Sequence, residues 1–330
     1  MKKIAIIILN YNGKELLKQF LPKVIKFSEE ANIYVADNCS TDNSVQTLKI
    51  EFPEITIIKN KENYGYAKGY NGALKFIEEP FWVLLNSDVE VTENWLKSPM
   101  YLFENDNKIA VIQPKILDFK NKEYYEYAGA AGGFIDLFGY PFCRGRIFNT
   151  LEKESDLYNQ ESDIFWASGA CFFVRKDIFN LLNGFDDNYF AHQEEIDFCW
   201  RAINKGYSIK FTPKSTVFHI GGATLKNSNP KKTYLNFRNS LITLLKNLPN
   251  LYIIPIILSR LILDGIAGLQ FLFSGKILHT LAIIKAHFSF YYNFYYCLKN
   301  RQGCFTNKYY KTKSILLKYY IFRKKFYYEI

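Results

Sequence analysis

The chain has 330 residues and a mass of 38.7 kDa, enough for one large domain or for one domain with an appendage. Hydrophobic residues make up 48% and charged residues 22%, which excludes a disordered or collagen-like chain. The net charge of +10 is uneven: residues 1–240 carry 29 Lys and Arg against 30 Asp and Glu, and residues 241–330 carry 13 against 2. A near-neutral body with a basic, aromatic tail does not fit a protein that binds nucleic acid over its whole surface.

Residues 4–9 read as a strand. This apolar run is short and ends at Asn10-Tyr11-Asn12-Gly13 without a small-residue cleavage pattern, so a buried first strand explains it better than a signal peptide. Residues 15–27 then read as helix, 33–36 as strand, 44–50 as helix, 55–58 as strand, 68–77 as helix and 81–85 as strand. Fully apolar runs separated by helices imply parallel strands buried on both faces, in which ligands bind beyond the carboxyl ends of the strands. Polar residues gather at those ends: Asn10-Tyr11-Asn12, Asp37-Asn38, residues 60–63, and Asn86-Ser87-Asp88. Turn and cap chemistry accounts for any one of them, but not easily for all four on one sheet edge. The cysteines, Cys39, Cys143, Cys171, Cys199, Cys297 and Cys304, include no C-x-x-C pair, so reduced thiols in a cytoplasmic protein are expected.

Several segments carry candidate chemistry. Asp37 stands at a strand tip with no obvious capping task, and its carboxylate suits the N–H groups of a pyrimidine. The stretch from Asn63 through Gly65 and Lys68 to Asn71 matches no standard phosphate loop, yet it opens a helix where an anion is favoured. Asp88 ends an apolar strand where a hard cation could bridge it to a diphosphate. His219 ends a second apolar strand just before Gly221-Gly222 and is the candidate second metal ligand; the alternative is a hydrogen-bonded structural histidine. Glu194 and Glu195 begin an apolar helical stretch, where they suit either the helix dipole or a general base. Asp197 and Arg201, four residues apart, read as a helix surface pair.

In this order and spacing, the segments resemble glycosyltransferase family 2, and especially its rhamnosyltransferase-like branch. The matching pieces are Leu9-Asn10-Tyr11-Asn12, Asp37-Asn38-x-Ser40-Thr41-Asp42-x-Ser44, Asn63-x-Gly65-x-Ala67-x-Gly69-x-Asn71 and Leu85-Asn86-Ser87-Asp88-Val89. Further on come Ser168-Gly169-Ala170, Gly184-Phe185-Asp186, the run from Glu194 to Arg201, and His219. The resemblance covers about residues 4–240 and implies an α/β fold of the GT-A (nucleotide-diphospho-sugar transferase) kind, a Rossmann-like mixed sheet with a C-terminal helical extension. It implies inverting transfer of a sugar from a nucleotide diphosphate to an acceptor hydroxyl, with Mg²⁺ or Mn²⁺ as cofactor. By position, Asn10, Tyr11, Asn12, Asp37, Asn38, Gly65, Lys68, Asn71, Asn86 and Ser87 are expected around the nucleotide sugar, and Asp88 and His219 at the metal. Glu195 is the expected base, with Glu194 its rival, because the family's Glu-Asp pair is Glu-Glu here. Asn86 replaces the first Asp of the family's D-x-D. Branch likeness favours dTDP-rhamnose, then UDP-hexoses, with a glycan or lipid-linked glycan acceptor; a non-catalytic scaffold that binds nucleotide sugar or glycan is the alternative. Phe165-Trp166 and residues 129–145 either line the acceptor side or serve as core and loop.

Residues 241–330 form the second region. Its best uncharged run, residues 248–259, contains Pro249 and Pro255 and stops at Arg260, too short for a span. Interfacial helices are expected instead, with cations on anionic lipid and paired tyrosines at the boundary. That places the protein peripherally on the inner face of the cell membrane. A packed helical subdomain and RNA binding are the rival readings.

Overall fold

The computed structural model describes residues 2–221, 229–301, 303, 306 and 308–330; Gly222 and Cys304 lie outside them. The first half alternates strands and helices: β1 (Ile4–Asn10), α1 (Lys14–Lys26), β2 (Ala31–Asp37), α2 (Ser44–Glu51), β3 (Thr56–Lys59), α3 (Ala67–Leu74), β4 (Phe81–Asn86), β5 (Val89–Val91), α4 (Lys97–Asn105) and β6 (Ile109–Asp118). Helix α3 stops at Leu74, short of residue 77, because Phe76 and Ile77 donate to carbonyls three residues back and tighten the chain ahead of Pro80. Short strands follow, β7 (Gly133–Ile135), β8 (Pro141–Cys143), β9 (Arg146–Ile147), β10 (Thr150–Leu151) and β11 (Ser162–Asp163), then β12 (Cys171–Arg175), α5 (Lys176–Leu181), α6 (Glu194–Asn204) and β13 (Ser208–His219). Then come the α-helices α7 (Pro230–Asn247), α8 (Asn250–Phe273), α9 (Ile277–Tyr292) and α10 (Phe294–Lys299), and after them the short helical turns Leu317–Ile321 and Tyr327–Glu329.

The main sheet runs β11-β13-β6-β12-β4-β1-β2-β3, with β5 on β13. Strand β1 lies between β2 and β4, parallel to both, and its continuous apolar run suits burial on two faces. Strand β12 is antiparallel to β4 and β6, so the sheet is mixed. Strands β7–β10 form a separate small sheet over residues 133–151. Trp166 packs beneath it, 4% exposed, with its indole N–H on the Phe134 carbonyl at 3.0 Å. Trp166 and residues 129–145 thus serve as core, not as a loose acceptor loop.

Two expectations change on folding. Asp197 and Arg201 do pair, at 2.8 Å, but in the interior. Helix α7 covers α6 and brings Lys246 to 3.0 Å from Asp197 and 2.7 Å from Asp186. Burial alone would raise the Asp197 carboxyl, but Arg201 and Lys246 outweigh it and hold it at about 2. Removing one partner of a buried charge pair costs about 3–5 kcal/mol. Lys246→Met is therefore expected to destabilise the fold by about 3 kcal/mol in denaturant unfolding; an unchanged midpoint would show the network to be dispensable. Residue 240, where the composition changes, lies inside α7.

The tail also differs. Pro255 and Arg260 do not end the apolar run: α8 is continuous over 24 residues and is long and apolar enough to cross a membrane by length and composition. Arg260 is tolerated because it turns inward, its guanidinium donating to Phe138 O and Ser240 Oγ at 2.8 Å and facing Asp264 at 3.4 Å. The tyrosine pairs are divided between roles. Tyr309 stacks on Trp200 at 5.0 Å, Tyr319 shares a 2.9 Å hydrogen bond with Thr150, and Tyr327 lies against Phe134, so these belong to the body.

Candidate active site

The strand register builds the site's first wall. Asn10 pairs with Asp37 and Leu9 with Asn86, so three strand ends lie level at the carboxyl edge. The polar groups there bind each other first. Asn10 donates to Asp37 Oδ1 at 3.0 Å and to Ser40 Oγ at 3.1 Å, and accepts from Gly13 N–H. Asn12, left-handed at φ 53°, accepts from Thr41 and Asp42 N–H at 2.7 and 3.2 Å. Asn38 donates to Gly65 O and accepts from Asn60, both at 2.8 Å. These amides therefore set the shape of the rim. Asp37 Oδ2 takes one N–H, from Ser40 at 3.0 Å, and a carboxylate retains lone pairs for further donors. Tyr11 is half exposed at the rim, and Lys68 is exposed in the first turn of α3 with its ammonium 4.1 Å above the Tyr64 ring. Ser87 lies next to Gly13. Asn71 is not brought into this row; its amide donates to Phe185 O and Asp187 Oδ1 at 2.7 Å.

At the end of β4 the chain turns into β5, whose Val89 pairs with His219. That pairing brings Asp88 Oδ1 to 3.1 Å from His219 Nε2, with Asn86 Nδ2 at 3.5 Å from the same nitrogen. Glu126, unmarked in the sequence, lies on the other side of the ring, its Oε1 3.3 Å from Nδ1. It is 2% exposed and fixed by the Ala128 N–H. Gly221, at φ +71°, passes so close that a Cβ would press on the Glu126 carboxylate. Burial works against a charged imidazole, but Glu126 and Asp88 outweigh it and push His219 up to about 10. The pocket between two carboxylates is thus built for a positive charge, supplied by the ring proton when no cation is present. One carboxylate oxygen and one imidazole nitrogen are ligand types that Mg²⁺ and Mn²⁺ accept. Among the described residues no set of three or more His, Cys, Asp or Glu gathers around a metal position, so diphosphate and water would have to complete the shell.

The acid pair opens α6. Glu194 is buried and Glu195 partly exposed. Burial and the neighbouring Glu195 push Glu194 well above the carboxylate range. Burial likewise raises Glu195, to about 7, against the pull of the backbone N–H groups of Glu195 and Gln193. The two adjacent acids titrate as a pair, both raised by burial. Tyr66, also missed from sequence, lies beside both acids, its hydroxyl donating to Gly169 O at 2.8 Å. Gly65 closes the seam: Tyr66 N–H reaches Phe190 O at 2.7 Å, and a Cβ on Gly65, at φ +72°, would collide with that carbonyl. Asn86 N–H in turn binds Ala170 O at 3.0 Å. The row of strand ends is thereby tied to β12 and, through the turn before α3, to the loop that leads into α6.

The family model "Glycosyl transferase family 2" matches residues 5–182. The N-acetylglucosaminyl-diphospho-decaprenol L-rhamnosyltransferase of Mycobacterium tuberculosis is 24% identical over 232 residues, 66% of this chain and 75% of that one. Rhamnosyltransferase WbbL of Escherichia coli is 23% identical, over 66% and 83% of the two chains. The dTDP-rhamnosyl transferase RfbF of Shigella flexneri is 24% identical over 74% and 80%. Among solved structures, GalNAc-T7 with UDP, GalNAc and Mn²⁺ aligns at a TM-score of 0.58 and 16% identity, over 76% of this chain and 49% of that one. S. aureus TarS 1–349 with UDP-GlcNAc aligns at 0.52 and 17% identity, over 78% and 71%. These neighbours share the GT-A fold with this chain.

Proposed function

Because the chain belongs to glycosyltransferase family 2, we propose that it moves a sugar from a nucleotide diphosphate to a hydroxyl of a lipid-linked glycan, with inversion at the anomeric carbon. The observation that carries the reading is Glu195, whose carboxylate has a buried oxygen with no hydrogen-bond partner and is raised by burial to about 7, on the same edge as the Asp88–His219 pair. Glu195 takes the proton of the acceptor hydroxyl, the new bond forms between that oxygen and the anomeric carbon, and the bond to the diphosphate breaks on the opposite side. Asp88 and His219 would hold a divalent cation, whose chemistry is to neutralise the departing diphosphate. Asp37 and Tyr11 receive the base, and Lys68 with the N-terminus of α3 favours the phosphates. Three relatives named as rhamnosyltransferases support rhamnose as the sugar, and RfbF supports dTDP-rhamnose as the donor, with UDP-hexoses next. A scaffold subunit would have no use for an acid poised near neutrality.

A donor bound only to the native state raises its stability, by about 2.7 kcal/mol at a hundredfold excess over Kd. Thermal unfolding with nucleotide sugars, each with and without Mn²⁺, is expected to show a metal-dependent rise with a dTDP- or UDP-sugar. No rise with any of them would contradict the donor reading.

The acceptor side of the proposal rests on the α8–α9 hairpin. On α8 the exposed Leu251, Ile254, Leu258, Ile262, Ile266 and Leu269 recur every three or four residues, while Arg260 and Asp264 face inward. Leu281, Phe288 and Tyr292 continue the apolar face on α9, and only 28% of the most apolar α8 segment is buried. With the basic charge of residues 241–330 this face suits an anionic bilayer surface, peripheral and cytoplasmic. Co-sedimentation with anionic vesicles is expected for the native chain and lost in Leu258→Glu/Ile262→Glu; equal sedimentation of both would refute the assignment.

A further inference from the structure

Two consecutive residues with side chains, His192 at φ 70° and Gln193 at φ 75°, adopt the left-handed conformation immediately before Glu194 and Glu195. Side chains disfavour that conformation unless their surroundings hold it. No glycine relieves the turn, so something must fix it. The holding group is Asn239, on α7 and fully buried. Its side-chain amide donates to Ala191 O at 2.9 Å and to His192 O at 2.7 Å. Its own oxygen accepts from Arg238 Nε at 2.8 Å, and Arg238 reaches Asn188 O at 2.8 Å. Two adjacent α7 residues thus grip the loop from 188 to 192.

The geometry has a specific consequence. Asn239 holds the His192 carbonyl from α7 at 2.7 Å, and the next carbonyl, of Gln193, accepts from Asp197 N–H at 2.9 Å in the first turn of α6. The held turn fixes where α6 begins and so where Glu195, two residues on, stands.

We propose that Asn239 is a positioning residue for Glu195, acting through the left-handed turn at His192 and Gln193 that it holds. This rests on Glu195 being the base. The other titratable groups that face Glu195 are Glu194 and Cys199 on its own helix and Tyr66 from the turn before α3. From α7, Lys232 faces His192 and Glu126.

The test compares Asn239→Asp, which keeps the shape and the Arg238 contact but loses the amide donor, with Asn239→Ala in the full chain. Both are expected to lower kcat by about tenfold or more and to move the acidic limb of the pH–rate profile upward, with donor Kd within about twofold of wild type. An unchanged kcat and pH limb would overturn the proposal. A parallel loss of donor affinity and kcat would also overturn it, because Asn239 would then be general packing. Glu195→Gln is run alongside: if it keeps wild-type turnover the base assignment fails, whereas a silent Asn239 beside an inactive Glu195→Gln sinks the positioning role alone.

Discussion

Glu195→Gln is expected to lower kcat by about 10²–10⁴, the usual contribution of a positioned general base, while leaving donor affinity near wild type. The amide keeps the size of the carboxyl and can still meet the backbone N–H groups at the start of α6, so loss of folding is not the anticipated cause. Glu194→Gln should behave differently. Burial and the neighbouring Glu195 push Glu194 well above the carboxylate range, so an amide of the same size is a mild replacement there. A fall in kcat of less than about tenfold is expected there. The pH dependence follows from the same sign: burial raises Glu195 to about 7, so the active, deprotonated form is lost below that value. kcat/KM should fall tenfold per unit below an apparent pKa near 7, a value belonging to the pair. Equal losses in the two variants, or an acidic limb near 4, would reject the division of roles.

Asp88→Ala is the second large effect. Asp88 and His219 are each 5% exposed and 3.1 Å apart, and Glu126 lies behind the ring. Removing Asp88 leaves one protein ligand for a cation and an imidazole with Glu126 as its remaining carboxylate. A bound cation supplies several kilocalories per mole of charge stabilisation to a departing diphosphate, and each 1.36 is about tenfold in rate, so a fall of about 10³-fold is expected. Mn²⁺ binding followed by electron paramagnetic resonance gives a second readout, with weaker binding in Asp88→Ala and in His219→Ala. Undiminished Mn²⁺ affinity in both variants would remove these residues from the metal site.

The carboxyl-edge row was legible in the sequence because buried parallel strands leave few places for polar residues. Asn10, Asp37 and Asn86 mark strand ends, and the observed register sets them side by side. The sequence could not show how much of their bonding capacity is used internally: the Asn10 and Asn38 amides tie loops more than twenty residues apart. Glu126, Asn239 and Lys246 went unread for a related reason. Their partners are distant in sequence, so no local spacing marks them, and Lys246 looks like any helix-end lysine until α7 packs on α6. The length of α8 was hidden in a physical way too. Arg260 and Pro255 break a linear apolar count, but a helix places Arg260 on the inward side opposite Leu251 and Leu258. Length along one face, not an uninterrupted run, is what a membrane surface would meet.

The most direct test of the account is sugar transfer itself, with the full chain, Mn²⁺, dTDP-rhamnose or a UDP-hexose, and a polyprenyl-diphosphate-linked sugar as acceptor. The anomeric configuration of the product is read by NMR. The account predicts a glycoside of configuration opposite to the donor's, abolished in Glu195→Gln. A product of retained configuration, or tight donor binding with no transfer to any acceptor, would contradict it.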